Sequence, residues 1–156
     1  MRLVYEGRRI MRGFYGIGIY HSKTETNVGT LWRSASQLGA SFIFTIGKRY
    51  KQQSSDTHKT WRHKPLYHYD SFSDFQKSRP TNAELVGVEL DETAKCLSEF
   101  THPERAIYLL GAEDHGLPTK ITQQCQRLIT LDGGSFNVAV AGSIVMYDRV
   151  NTKEMK

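Results

Sequence analysis

The sequence predicts an α/β fold, a parallel sheet flanked by helices, and three observations carry that prediction. Short runs of strand length, residues 40–46, 85–90 and 106–110, are largely apolar instead of alternating, the pattern of strands buried on both faces. Other stretches repeat their apolar residues at helical spacing. Strand, helix and strand also follow one another along the chain, the order a parallel sheet needs because each crossover must carry the chain back over one face.

The elements follow in order. Residues 14–20 are a β-rich run that stops at the polar patch His21-Ser22-Lys23-Thr24, which makes them the first strand. From Asn27 the apolar residues Val28, Leu31, Trp32, Ala35 and Leu38 recur every three or four positions and Gly39 supplies a stop, so this interval is a helix. Residues 40–46, closed by Gly47, are the next strand. Downstream, 85–90 and 106–110 read as buried strands, 118–125 as a helix with proline in its first turn, and 128–131 as a further strand. Residues 138–150 carry the valines of a strand, but their length, their alanines and Gly142 favour a buried helix.

At 156 residues the chain is the size of one domain with a real core. It divides into a basic N-terminal segment, 1–13, a single domain, 14–150, and a short tail, 151–156. A net charge of +5 makes the surface attractive to polyanions without naming one. Cys96 and Cys125 form no CxxC pair and the six histidines show no ligand spacing, so neither a disulfide framework nor a metal site is indicated. A reducing cytoplasm is the expected setting. The N-terminal segment carries Arg2, Arg8, Arg9 and Arg12 without the apolar core of a signal peptide, and no stretch reaches membrane-spanning length. Gly16-Ile17-Gly18 lacks the third glycine of a dinucleotide-binding turn.

The connection between Gly47 and Pro65 breaks the rhythm. Lys48, Arg49, Lys51, Lys59, Arg62 and Lys64 face a single acid, Asp56, with Tyr50 and Trp61 interleaved. Cations offset phosphate charge and aromatic rings stack on unpaired bases, so the mixture suits RNA. Lys48, Arg49, Lys51, Lys59, Trp61 and Arg62 are therefore candidate RNA contacts. The plainer alternative is a solvated loop whose Trp61 folds onto the core.

Three separated stretches carry the chemistry: Asn27-Val28-Gly29-Thr30-Leu31-Trp32-Arg33, Gly111-Ala112-Glu113-Asp114-His115-Gly116-Leu117-Pro118 and Ser135-Phe136-Asn137-Val138. In this order and spacing they resemble the three motifs of the SpoU family of S-adenosylmethionine-dependent RNA ribose 2′-O-methyltransferases, part of the SPOUT class, over about residues 17–147. The resemblance implies a parallel sheet whose C-terminal part is threaded into a trefoil knot that holds the methyl donor, and a homodimer that completes the site. It is to the minimal, catalytic-domain-only members, which points to transfer RNA as substrate ahead of ribosomal RNA. An RNA-binding protein that keeps the fold without turnover is the alternative from another class.

Residue by residue, the resemblance makes Asn27, Arg33, Glu113, Ser135 and Asn137 the candidate catalytic set. A guanidinium keeps its proton at accessible pH, so Arg33 is better suited to hold the phosphate beside the target nucleotide than to act as a base. Alone, Arg33 would read as a surface ion pair and Asn27 as a helix cap. Glu113 is expected to position its neighbours, with a carboxylate at the next helix start as the plainer reading. His115 belongs to the residue type that exchanges protons near neutrality, or is simply a solvated loop residue. Ser135 and Asn137 suit the ribose or the donor's polar edge, and the loop 131–134 before them is shorter than is usual in the family. Val88, Glu89, Gly111, Ile129 and Leu131, near strand ends, together with Ser135 and Phe136, are the expected lining for S-adenosylmethionine, because open α/β sheets place ligands there.

Overall fold

The computed structural model describes residues 13–50 and 64–152. Among these residues seven strands and four α-helices follow one another: β1 (Phe14–Tyr20), α1 (Glu25–Leu38), β2 (Phe42–Ile46), β3 (Leu66–Tyr69), α2 (Phe72–Ser78), β4 (Glu84–Val88), β5 (Lys95–Cys96), β6 (Arg105–Leu110), α3 (Thr119–Thr122), β7 (Arg127–Thr130) and α4 (Val138–Asn151). The strands form one sheet in the order β3-β2-β1-β6-β4-β7-β5, and each neighbouring pair is parallel.

Parallel strands covered on both faces must be apolar throughout, which is why the central runs lack alternation. Along β1, Tyr15, Ile17 and Ile19 face one way and join Ile43, Tyr108 and Leu110 beneath α1 and α4. On the opposite face Phe44, Leu85, Ile107 and Leu109 pack against Phe75 of α2 and Ile121 of α3. Helix α4 lies close on α1 because residue 142 is glycine: a Cβ there would sit 2.5 Å from a Leu31 methyl. Beside that crossing the Ser143 hydroxyl meets the Ser34 hydroxyl at 2.8 Å.

At its far end α4 is anchored by a buried polar chain. Arg149, fully buried, donates to the Pro103 carbonyl at 2.6 Å, to the Glu104 carbonyl at 2.8 Å and to the Tyr108 hydroxyl at 3.1 Å. Tyr108 and Asp148 then hold the two ring nitrogens of buried His102 at 2.6 and 2.7 Å. This fastens the end of α4 to the starts of β1 and β6. The opposite edge of the sheet, where the strands end, carries the loops that follow β1, β4, β6 and β7.

The structure departs from the sequence reading in several places. Helix α1 begins at Glu25, and the Thr24 hydroxyl caps it by accepting the Asn27 N–H, so Asn27 is not the cap. The helix expected over 118–125 is a single turn, Thr119–Thr122. Helix α4 runs to Asn151, one residue into the expected tail. Strand β3, helix α2 and the two-residue β5 stand where no element was expected.

Candidate active site

The three motifs meet at the C-terminal edge of the sheet. Glu113, just past β6, accepts from the Asn27 side-chain amide at 2.5 Å, the Lys23 backbone N–H at 3.1 Å and the Ser22 hydroxyl at 3.3 Å. The Asn27 carbonyl oxygen in turn accepts from the Asn137 side-chain amide at 3.0 Å. Asn137 caps α4, its own oxygen accepting the N–H groups of Ala139 and Val140 at 3.0 and 3.2 Å. A relay of three polar side chains therefore ties residue 113 to the starts of both helices that cover one face of the sheet.

Electrostatics fixes the state of this relay. Burial pushes the Glu113 carboxyl upward, but its own backbone N–H, the Asn27 amide, the Lys23 N–H and the Ser22 hydroxyl outweigh it, so its pKa lies below the ordinary carboxylate value. An anion stabilised in this way holds neighbours in place and is a poor proton acceptor at neutral pH.

Beside the relay lies a cleft of about 350 Å³, a volume within the range of small-molecule sites. Val88, Glu89, Gly111, Leu131, Ser135 and Phe136, all expected on the lining, do line it, along with Glu113. Ile129 does not: it is completely buried within β7, and its carbonyl is taken by the Glu89 N–H at 3.0 Å. Thr130, one residue on, reaches the cleft instead. The loop over the cleft is fastened by Glu89, whose carboxylate accepts the Leu117 N–H at 2.5 Å and the Leu90 N–H at 2.9 Å. Gly116 makes this possible, since its backbone is left-handed at φ 61° and a side chain would collide with the Glu89 carboxylate.

Among the described residues the lining contains three carboxylates, Glu89, Glu113 and Asp114, and no lysine or arginine, in a chain whose net charge is +5. Such a cleft repels phosphate and favours a cation. A sulfonium with an amino group, flanked by an adenine that needs apolar walls, fits this pattern, and Val88, Leu131, Phe136 and Val138 supply such walls.

Arg33 is not part of the relay. It lies exposed on α1, six residues beyond Asn27 and therefore about 240° round the helix and about 9 Å along it. Among the described residues it makes no hydrogen bond or ion pair. Lys48 and Arg49 are exposed near the start of α1, where the Lys48 ammonium donates to the Lys23 carbonyl at 2.8 Å. They border a small recess with Glu25 and Tyr50. Lys51, Lys59, Trp61 and Arg62 lie outside the described residues. Ser22 and Lys23 were missed by sequence reasoning. Both sit in an ordinary polar loop, and only the placement of β1 beside β6 brings them to Glu113.

A family model described as the SpoU rRNA Methylase family matches residues 16–147. Among curated proteins, the mouse (Mus musculus) tRNA (guanosine(18)-2'-O)-methyltransferase TARBP1 is 25% identical over 138 residues, covering 79% of this chain and 8% of that protein. Among solved structures, the AdoMet-bound rRNA methyltransferase from Sinorhizobium meliloti superposes with a TM-score of 0.78 at 21% identity, over 88% of this chain and 56% of that one. A structure described as giving insights into the 2-OH methylation of C/U34 on tRNA superposes with a TM-score of 0.74 at 23% identity, over 88% of this chain and 94% of that one. The chain thus spans under a tenth of the mouse protein and little over half of the Sinorhizobium one. The shared fold is what these structural likenesses show.

Proposed function

The chain belongs to the SpoU rRNA methylase family, and from that premise we propose that it is an enzyme that transfers a methyl group from S-adenosylmethionine to a ribose 2′-hydroxyl of RNA. One observation carries this reading: the three motifs close into a single relay, Asn27, Glu113 and Asn137, beside an acidic cleft at the strand ends whose lining includes Glu113. When bound, the donor supplies a methyl on a cationic sulfur, primed for displacement. Val88, Gly111, Leu131, Ser135 and Phe136 would hold it, with the cleft carboxylates complementing its charge. Asn27 and Asn137 orient the cleft wall, and Ser135 is placed to bond the ribose or the donor's polar edge.

Transfer RNA is the first candidate substrate, because two of the similar proteins are described by transfer RNA methylation. Ribosomal RNA is the second, because the family description and the Sinorhizobium protein name it. Lys48 and Arg49 stand on the same side as the relay and suit the RNA backbone, with Lys51, Lys59, Trp61 and Arg62 continuing the basic stretch in sequence. Residues 14–150 would form one catalytic domain working in the cytoplasm. No helix among the described residues is long and apolar enough to cross a membrane.

The proposed active form is a homodimer. Helix α4 exposes Val140 and Tyr147, with Ile144 half-buried between them, an apolar stripe at helical spacing in need of a partner. A second copy also answers the position of Arg33, which reaches no motif residue in its own chain. Knotting of the C-terminal part is proposed with it: β7 is inserted between β4 and β5 after both have been laid down, and α4 then crosses to the α1 face.

Calorimetry joined to a transfer assay tests the assignment. The protein should bind S-adenosylmethionine, and Arg33→Ala should keep that affinity while losing transfer by on the order of 100-fold. Absence of donor binding would leave only an RNA-binding protein of the same fold.

A further inference from the structure

Methylation of a hydroxyl requires a proton acceptor, and the cleft narrows the choice. Its three carboxylates are all engaged. Glu89 holds the Leu117 and Leu90 N–H groups, Glu113 holds Asn27, Lys23 and Ser22, and Asp114 is ion-paired with Lys23. His115 lines the same cleft and is exposed to it, and among the described residues nothing donates to, accepts from or pairs with its ring.

The backbone that carries this imidazole is held in place. His115 stands in the turn 112–116, closed by the Gly116 N–H donating to the Ala112 carbonyl at 2.9 Å and fastened beneath by the Glu89 carboxylate on Leu117. Backbone placement combined with free ring nitrogens is what a general base needs, and imidazole is the side chain suited to take up a proton near neutrality. Arginine does not deprotonate in this range.

We propose that His115 accepts the ribose 2′-hydroxyl proton, a role that rests on the methyltransferase reading above. The ribose oxygen forms its bond to the methyl carbon while the carbon–sulfur bond breaks and leaves its electron pair on sulfur. The hydroxyl proton passes to an imidazole nitrogen of His115, which later returns it to water. The products are a 2′-O-methyl ribose, a neutral thioether and a released proton.

The test uses the whole chain, methyl-labelled S-adenosylmethionine and small RNA isolated from cells in which the gene is deleted. In the wild type, kcat/KM should rise with pH along a single limb. His115→Gln should lower kcat by about 100-fold, abolish the limb and leave donor affinity by calorimetry unchanged, and added imidazole should restore part of the rate of His115→Ala. Variants that keep the wild-type rate and pH profile would overturn the proposal. A wild type that binds no donor or labels no RNA overturns the methyltransferase reading itself, before any variant is compared.

Discussion

Asn27 is the residue on which the site turns, because its two amide ends join Glu113 to Asn137 at 2.5 and 3.0 Å. Asn27→Ala breaks both contacts while leaving the Thr24 cap in place, so α1 should persist and donor binding survive. Transfer should fall by on the order of 100-fold in a single-turnover assay, since misplacing a reacting group by about 1 Å costs that much. Equal single-turnover rates would remove the relay from the mechanism. Sequence alone left Asn27 between two roles, a cap and a site residue, and the choice depended on Thr24, which stands three positions earlier and takes the cap. Ile129 met a similar local ambiguity: at a strand end one position separates core from cleft, and Ile129 is wholly buried while Thr130 lines the cleft. At the distant end of α4, burial pushes the His102 pKa below 6.5 against the pull of Asp148. The ring faces Tyr108 from β6 and Asp148 and Arg149 from α4, and packs edge-on to Phe100. The unfolded chain therefore binds a proton more readily than the folded one, and this residue's contribution is full above about pH 6.5 and is lost as the pH falls below it. Urea unfolding across about pH 5 to 8 should show that slope in the wild type and a flatter one in His102→Asn.

At the scale of elements, the crossing of α4 on α1 is the most exacting contact. Gly142→Val would press against Leu31 and the Leu110 methyl behind it, and should destabilise the fold by about 1–3 kcal/mol in chemical denaturation. No loss of stability would mean that the crossing is looser than the structure has it. Helix α1 was legible because its helical period is written several times over, β1 and β6 because unbroken apolar runs mark strands covered on both faces, and α4 by its length and its alanines. Strand β3, Leu-Tyr-His-Tyr, is too short for a period to emerge, and its histidine is held by the Thr45 hydroxyl at 2.9 Å, a contact that exists only once β2 lies beside it. Helix α2 spans two turns and packs mainly through Phe75. Helix α3 is cut to one turn because Gln126 must turn back to hold Leu85, its side chain accepting the Leu85 N–H at 2.7 Å and its own N–H donating to the Leu85 carbonyl at 2.9 Å.

For the whole molecule, the α/β class and the meeting of the three motifs were readable from sequence, since parallel strands end on one edge and loops after strands must gather there. The strand order was not, because β6 inserts between β1 and β4 through pairings distant in sequence. The proposed dimer makes its own prediction: sedimentation velocity should find two copies in the wild type, and Val140→Glu with Tyr147→Glu should yield folded monomers that bind the donor poorly. A monomeric wild type would contradict it. The account as a whole stands on where a labelled methyl goes. Incubated with methyl-labelled S-adenosylmethionine and small RNA from cells lacking the gene, then digested to nucleosides, the RNA should release its label in one 2′-O-methyl nucleoside; label on a base, or none at all, would contradict the reaction assigned to this cleft.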